Sequence, residues 1–222
     1  MIVLATLGDS LGDALAQIAT VLRVPVLIAA IVVLVAGAFE VGRYGAELWR
    51  RWRRGREMEL SQLVRHAAAD PAHVAHYAYY APSAFAEAAL RGIVEAVTNG
   101  RPAEMEQALV AYELAVQRRL DRTRILVRAG PAIGLMGTLI PLAPGLAALG
   151  DGDVSELAGD LRDALAATVI GLLVGTVAFA LTLTRTRMYT EDLAALERAA
   201  EALRRDVFPV AAAPAPMAGA AR

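Results

Sequence analysis

Three long stretches without a charged side chain constrain the fold of this chain more than any other feature of its sequence. They run from 24 to 39, from 129 to 150 and from 164 to 184, and a charged residue closes each at both ends. A helix needs about 20 residues to cross a hydrocarbon core of roughly 30 Å, and long flanking side chains can extend the shorter first stretch. Because 57% of the 222 residues are hydrophobic, the sequence predicts an all-α integral membrane protein with three transmembrane helices.

The residues around these stretches predict further helices. Leu4, Leu7, Leu11 and Leu15 recur at helical spacing, Ser83 is a capping candidate, and Pro102 opens a periodic segment without a breaker before the second stretch. Helices 2 and 3 are therefore expected to extend into a cytoplasmic helical domain. The expected segments are an outer amphipathic helix (1–22), a first span (23–42), a cytoplasmic helical region (43–127), a second span (128–150), an outer loop (151–162), a third span (163–185), a cytoplasmic helix (186–207) and a disordered tail (208–222).

The arginines predict the orientation of the chain. Residues 43–56 hold six arginines against one glutamate, whereas residues 151–163 hold five acidic residues and one arginine. Because basic residues gather on the cytoplasmic side, we expect the N-terminus and the outer loop outside and the C-terminus in the cytoplasm. Asp9 and Asp13 ahead of the first stretch favour a retained anchor over a cleaved leader. The residues expected at the membrane interface are Arg43, Trp49, Arg50 and Trp52.

Small residues recur at helical spacing on the second and third stretches. Glycine weakens a helix by about 1 kcal/mol relative to alanine in water, so close neighbours must compensate, as they do between membrane helices. A packing seam without conduction explains these glycines fully. The residues of the predicted seam are Gly130, Gly134, Gly137, Pro141 and Gly145 on the second stretch and Gly171 and Gly175 on the third.

Two threonines, Thr138 and Thr168, lie at similar predicted depth beside this seam. A threonine in a membrane helix can bond a carbonyl of its own helix, or it can line a polar path. A proton crossing hydrocarbon needs a titratable group near the middle, yet Glu40 and Asp163 lie only at stretch ends. The chain can therefore supply hydroxyl walls, while a central acid would require a second polypeptide.

The second and third stretches resemble the MotA/TolQ/ExbB proton channel family. The family shows Pro-x-x-Gly-Leu-x-Gly-Thr on the second helix, which "PAIGLMGT" matches from Pro131 to Thr138. On the third helix it shows an acid, a threonine five residues later and then Gly-Leu, which Asp163, Thr168 and "GL" at 171–172 match. The chain departs from the pattern with aspartate instead of glutamate at 163 and with Pro141 at a position where glycine is usual.

The resemblance implies a ring-forming subunit, commonly a homopentamer, of a channel that couples ion-motive force to mechanical work. It implies a partner resembling ExbD, TolR or MotB, with one transmembrane helix carrying an aspartate, in the cell inner membrane. Asp163 would then be a proton-exchanging group at the outer mouth, or a charge in the first helical turn after an N-cap at Asp160. The alternative function is a non-conducting oligomeric membrane scaffold.

Other function classes find little support. A net charge of -1 and an isoelectric point near 6.3 give no nucleic-acid footprint, so the expected contacts are protein subunits and membrane lipids. His66, His73 and His76 lack acidic or thiol co-ligands, which disfavours a metal site. Because no phosphate loop, nucleophile elbow or paired carboxylates are visible, we expect no enzyme and no cofactor.

Overall fold

A computed structural model describes residues 2–54, 58–150 and 153–208, and the chain is all-helical across them. A group of short helices lies between the first long helix and the second, and the third long helix follows the second directly. In chain order the elements are α1 (Ile2–Arg54), α2 (Leu60–Ala69), a 3-10 helix (Pro71–His73), α3 (Val74–Tyr79), α4 (Ala84–Thr98), α5 (Pro102–Gly150) and α6 (Val154–Val207).

The three long helices are long and apolar enough, by length and composition, to cross a membrane. The regions that qualify are Val21–Arg53, Pro102–Leu146 and Leu157–Val207, with hydropathies of 2.6, 1.6 and 2.3 in their most apolar windows. Each region contains one of the three charge-free stretches, or most of it. The prediction of three candidate transmembrane helices is therefore confirmed.

Local capping residues set the bounds of α4 and α5. The Ser83 hydroxyl accepts a hydrogen bond from the Ala86 backbone N–H at 3.1 Å, which satisfies an amide that the first turn leaves open. Gly100 adopts a φ of 68°, a conformation that glycine tolerates best, and α5 begins at Pro102. These features confirm the predicted cap at Ser83 and the predicted helix start at Pro102.

Two predicted boundaries differ from the structure. The amphipathic segment 1–22 and the first span form one helix, because α1 continues through Pro25, as proline-containing membrane helices can when other groups satisfy the freed carbonyl. The predicted outer loop, 151–162, is largely helical, because α6 begins at Val154. The predicted tail, 208–222, lies outside the described residues apart from Phe208.

Two compact units make up the chain, and the first comprises residues 1–45 and 119–186. Its core contains one buried cluster from α1, α5 and α6, formed by Val33, Leu126, Val174 and Ala178. Gly37 faces Val174, and a Cβ there would lie 3.0 Å from its Cγ1. This unit therefore holds α1 against α6 by close packing of small and branched side chains.

The second unit comprises residues 46–118 and 187–222. Its interior is apolar, because the side chains of Val64 of α2, Leu90 and Ile93 of α4 and Leu196 of α6 are each 0% exposed. Full burial of each such side chain stabilises a fold by about 1.5–3 kcal/mol. The short helices are thus fixed by an apolar core of their own.

Candidate functional site

The backbones of α5 and α6 approach each other closely in the first unit. A Cβ at Gly130 would lie 2.7 Å from the Gly171 carbonyl oxygen and 2.9 Å from the Gly175 amide nitrogen. A Cβ at Gly134 would lie 3.3 Å from the Thr168 Cα. Larger residues would force the two helices apart, so the glycines permit this approach.

The seam continues at both ends through side chains. A Cβ at Gly137 would lie 2.6 Å from the Ala167 Cβ, and one at Gly175 would lie 2.7 Å from the Pro131 Cδ. Gly145 faces Leu157, and Pro141 of the predicted stripe is buried. The stripe predicted on the second stretch therefore packs against α6 of the same chain.

The two predicted threonines make different hydrogen bonds. The Thr168 hydroxyl donates to the Gly134 carbonyl across the seam at 3.1 Å, whereas the Thr138 hydroxyl donates to the Leu135 carbonyl of its own helix at 2.8 Å. Both residues are half-buried. Because a hydroxyl has one hydrogen and two lone pairs, each oxygen keeps the capacity to accept a further hydrogen bond.

One end of the first unit holds a buried cluster of three charges. Glu40 of α1 bonds Arg119 of α5 through Oε1 at 3.2 Å and Arg185 of α6 through Oε2 at 2.7 Å. The three side chains are 8%, 8% and 0% exposed, and the Arg185 guanidinium also lies 5.7 Å from the Tyr44 ring centroid. A buried carboxylate needs such partners to offset the loss of hydration, and the two arginines engage both oxygens of Glu40.

A second ion pair involves Arg23, at the other end of the charge-free stretch of α1 from Glu40. Arg23 Nη2 lies 2.6 Å from Asp160 Oδ1, and the Asp160 side chain is only 6% exposed. Asp163 is exposed and makes no ion pair with any described residue. Because α6 begins at Val154, Asp160 lies in the second turn, so the predicted N-cap at Asp160 and the first-turn position of Asp163 are both wrong.

The residues predicted at the membrane interface are exposed on α1. Trp49 and Trp52 are 61% and 63% exposed, Arg50 is exposed, and the Arg43 guanidinium lies 5.5 Å from the Phe39 ring centroid. Exposed indole rings of this kind are typical of membrane–water interfaces.

The second unit contains its own buried polar cluster. Arg51 binds both carboxylate oxygens of Asp192, at 3.1 and 2.6 Å. The Tyr112 hydroxyl donates to the Tyr189 carbonyl at 3.1 Å, and Phe85 meets the Tyr189 ring edge-on. Burial raises the pKa of the Tyr112 phenol, so this group stays a donor. These contacts fix α1, α5 and α6 within the second unit and show no reactive group.

The histidines take part in local contacts. His66 Nδ1 lies 2.8 Å from the Gln62 carbonyl, and His73 Nδ1 lies 2.9 Å from an Asp70 oxygen. Within the described part of the chain, no three His, Cys, Asp or Glu side chains are grouped so that they could hold a metal ion.

Sequence reasoning missed the two ion-paired clusters. The pairs Glu40–Arg185 and Arg23–Asp160 span 145 and 137 residues, so no local pattern contains them. The available signal was that opposite charges close the first and third stretches at corresponding ends. Pairing those flanks would have placed Glu40 near Arg185.

Comparison with known proteins gives one result. A family model described as the MotA/TolQ/ExbB proton channel family matches residues 80–203, which is more than half of the chain. Neither a curated protein nor a solved structure matches it. The matched range includes the whole α5–α6 seam and both threonines.

Proposed function

The chain belongs to the MotA/TolQ/ExbB proton channel family, and on that premise we propose that it forms the ring of an ion-driven motor. Its three apolar helices and its family make it a multi-pass membrane protein with an ion-channel-type function. In the proposed assembly, a homopentamer in the inner membrane encloses a single-span partner of the ExbD, TolR or MotB kind. Ion passage turns the ring relative to that partner and so performs work.

The observation that carries this proposal is the pair of threonines beside the seam. Thr138 lies near the middle of the second stretch and Thr168 lies about one turn into the third, and both are half-buried with acceptor capacity left on the oxygen. The charge-free stretches contain no carboxylate. An intramembrane aspartate of the partner would therefore carry the proton, and the threonine hydroxyls would line the path beside that aspartate.

Asp163 is the proposed proton-exchanging group at the outer mouth. It is exposed and without an ion pair among the described residues, whereas Asp160 nearby is buried against Arg23. The Arg23 guanidinium engages Asp160 Oδ1 at 2.6 Å, whereas Asp163 stays open to water. Exchange with bulk water therefore fits Asp163 better than Asp160.

The glycine contacts favour a second candidate function, a non-conducting scaffold. Every seam glycine from Gly130 to Gly175 meets atoms of the same chain, and the Thr168 hydroxyl donates within that seam. These contacts would serve helix packing even if no ion passed. Conduction must therefore be measured directly.

The test is proton flux into liposomes that contain the purified chain, alone and with its partner. The partner is sought in the neighbouring reading frame as a short protein with one transmembrane helix and an aspartate in it. Thr138→Val and Thr168→Val remove the hydroxyl at nearly constant volume, and Thr168→Ser keeps it. Thr98→Val is the matched control, because Thr98 bonds its own helix at Val94 in the second unit.

We expect proton flux only with the partner present. Thr138→Val and Thr168→Val should each lose most of this flux, whereas Thr168→Ser and Thr98→Val should keep near-normal flux. Absence of flux from a correctly assembled complex would instead support the scaffold. Unchanged flux in both valine variants would overturn the role given to the threonines.

A further inference from the structure

The arginine run after the first stretch divides into two groups with different surroundings. Arg51 is largely buried and bound by both oxygens of Asp192. Arg50 is exposed and makes no ion pair with any described residue, and Arg53 contacts the Trp49 ring at 5.6 Å. Two guanidinium groups one turn apart, on one face of α1, therefore form no ion pair with a carboxylate among the described residues.

These two arginines line a surface pocket of about 290 Å³ in the second unit. α1 provides one wall, and the end of α3 provides the other. The lining residues are Ala46, Trp49, Arg50, Arg53, Tyr79 and Tyr80, and none of them is acidic. A pocket with two cations and no anion favours a negatively charged ligand.

The aromatic side chains narrow the class of ligand. Trp49 and Tyr79 are 61% and 55% exposed, and Tyr79 and Tyr80 pack edge-to-face with ring centroids 5.5 Å apart. Indole and phenol rings combine an apolar body with a polar tip, which suits the boundary between headgroups and acyl chains. The planar guanidinium fork binds phosphate oxygens in pairs.

The position of the pocket along α1 agrees with this chemistry. Arg50 lies eight residues after Gly42, where the first span is predicted to end, which is about 12 Å along a helix. Helical side chains lean towards the N-terminus, which here is towards the span. The Arg50 guanidinium therefore extends back towards a headgroup layer that is roughly 5–8 Å thick, and Arg53 lies one turn further from the span.

We propose that this pocket binds the phosphate of an anionic phospholipid headgroup. Arg50 and Arg53 hold the phosphate oxygens, the tyrosine rings close the far side, and Trp49 lies at the level of the headgroup. The site does not depend on ion conduction, so a failure of the motor proposal would leave it standing.

Tryptophan fluorescence gives a direct test, because the chain has two tryptophans and Trp52→Phe leaves Trp49 as the sole emitter. The full-length Trp52→Phe protein in neutral detergent is titrated with phosphatidylglycerol, with phosphatidylcholine and with inorganic phosphate. We expect a shift of Trp49 emission with phosphatidylglycerol and little change with the other two. An equal response to phosphatidylcholine would overturn charge recognition, and an equal response to inorganic phosphate would overturn the lipid as the ligand.

Substitutions separate a built site from a general basic surface. Arg50→Gln and Arg53→Gln should each weaken phosphatidylglycerol binding roughly fivefold, the usual effect of one basic residue at an anionic surface. Arg50→Lys should also weaken it, because the charge stays but the fork is lost. Arg65→Gln is the control, since Arg65 is exposed on α2 and lines no part of the pocket. Equal losses in Arg65→Gln and Arg50→Gln, or unchanged binding in Arg50→Lys, would overturn the site.

Discussion

Glu40→Gln should destabilise the protein by about 3–5 kcal/mol, the usual cost of removing one partner from a buried ion pair. Both carboxylate oxygens of Glu40 are engaged, with Arg119 at 3.2 Å and with Arg185 at 2.7 Å. The amide would keep one acceptor and lose the negative charge. Two guanidinium groups that are 8% and 0% exposed would then lose the carboxylate that both of them bind.

The measurement is an unfolding titration of the purified protein in mixed micelles, followed by circular dichroism. Glu113→Gln is the matched control, because Glu113 is exposed on α5 and makes no ion pair with any described residue. We expect the control to stay within about 0.5 kcal/mol of the original protein.

A triple replacement tests the physical reason. If leucine or methionine replaces all three charged residues of the cluster, the desolvation penalty disappears together with the attraction, and stability should return to near the original value. The reasoning would be refuted if Glu40→Gln unfolded like Glu113→Gln, or if the triple replacement were less stable than Glu40→Gln alone.

Two further predictions concern the seam and the second unit. Gly171→Ala should destabilise the protein by about 1–3 kcal/mol through overpacking, because its new methyl would lie 2.8 Å from the Gly134 Cα. Gly159→Ala should be neutral or stabilising by up to about 1 kcal/mol, since nothing lies within 4 Å of its Cβ position. A lower unfolding midpoint for Gly159→Ala than for Gly171→Ala would contradict close packing at the seam. Tyr112→Phe should cost about 1 kcal/mol by removing a buried hydrogen bond. In an alkaline absorbance titration the Tyr112 phenol should ionise after the exposed tyrosines, because burial raises its pKa. The prediction would be wrong if Tyr112→Phe removed the phenol that ionises first.

The elements that sequence predicted well are those that depend on neighbouring residues. The hydrogen bond from Ala86 to Ser83 and the helix start at Pro102 need only a few adjacent side chains. The apolar stretches follow from composition alone, because charge is costly in hydrocarbon. These features depend on neighbouring residues alone, so they can be predicted before the fold is known.

The elements that sequence missed depend on contacts between distant residues. Asp160 is a favoured N-cap residue type, yet α6 begins six residues earlier, at Val154, and the carboxylate meets Arg23 of α1 instead. Likewise, Thr168 matched a family signature without revealing that its hydroxyl donates to Gly134 on the other helix. Packing decided these partners, and helical periodicity does not say which distant residues meet across two helices.

Two ion pairs fasten α1 to α6 near both ends of the apolar stretch of α1. Arg23 meets Asp160 at 2.6 Å, and Glu40 meets Arg185 at 2.7 Å. Such bonds are lost within about 1 Å of displacement, whereas sliding one helix past the other by a turn moves it about 5.4 Å. Sliding α1 along α6 by one turn would therefore break both ion pairs at once. Under the proposed motor function, α1 and α6 of the first unit must therefore move together and cannot slide past each other.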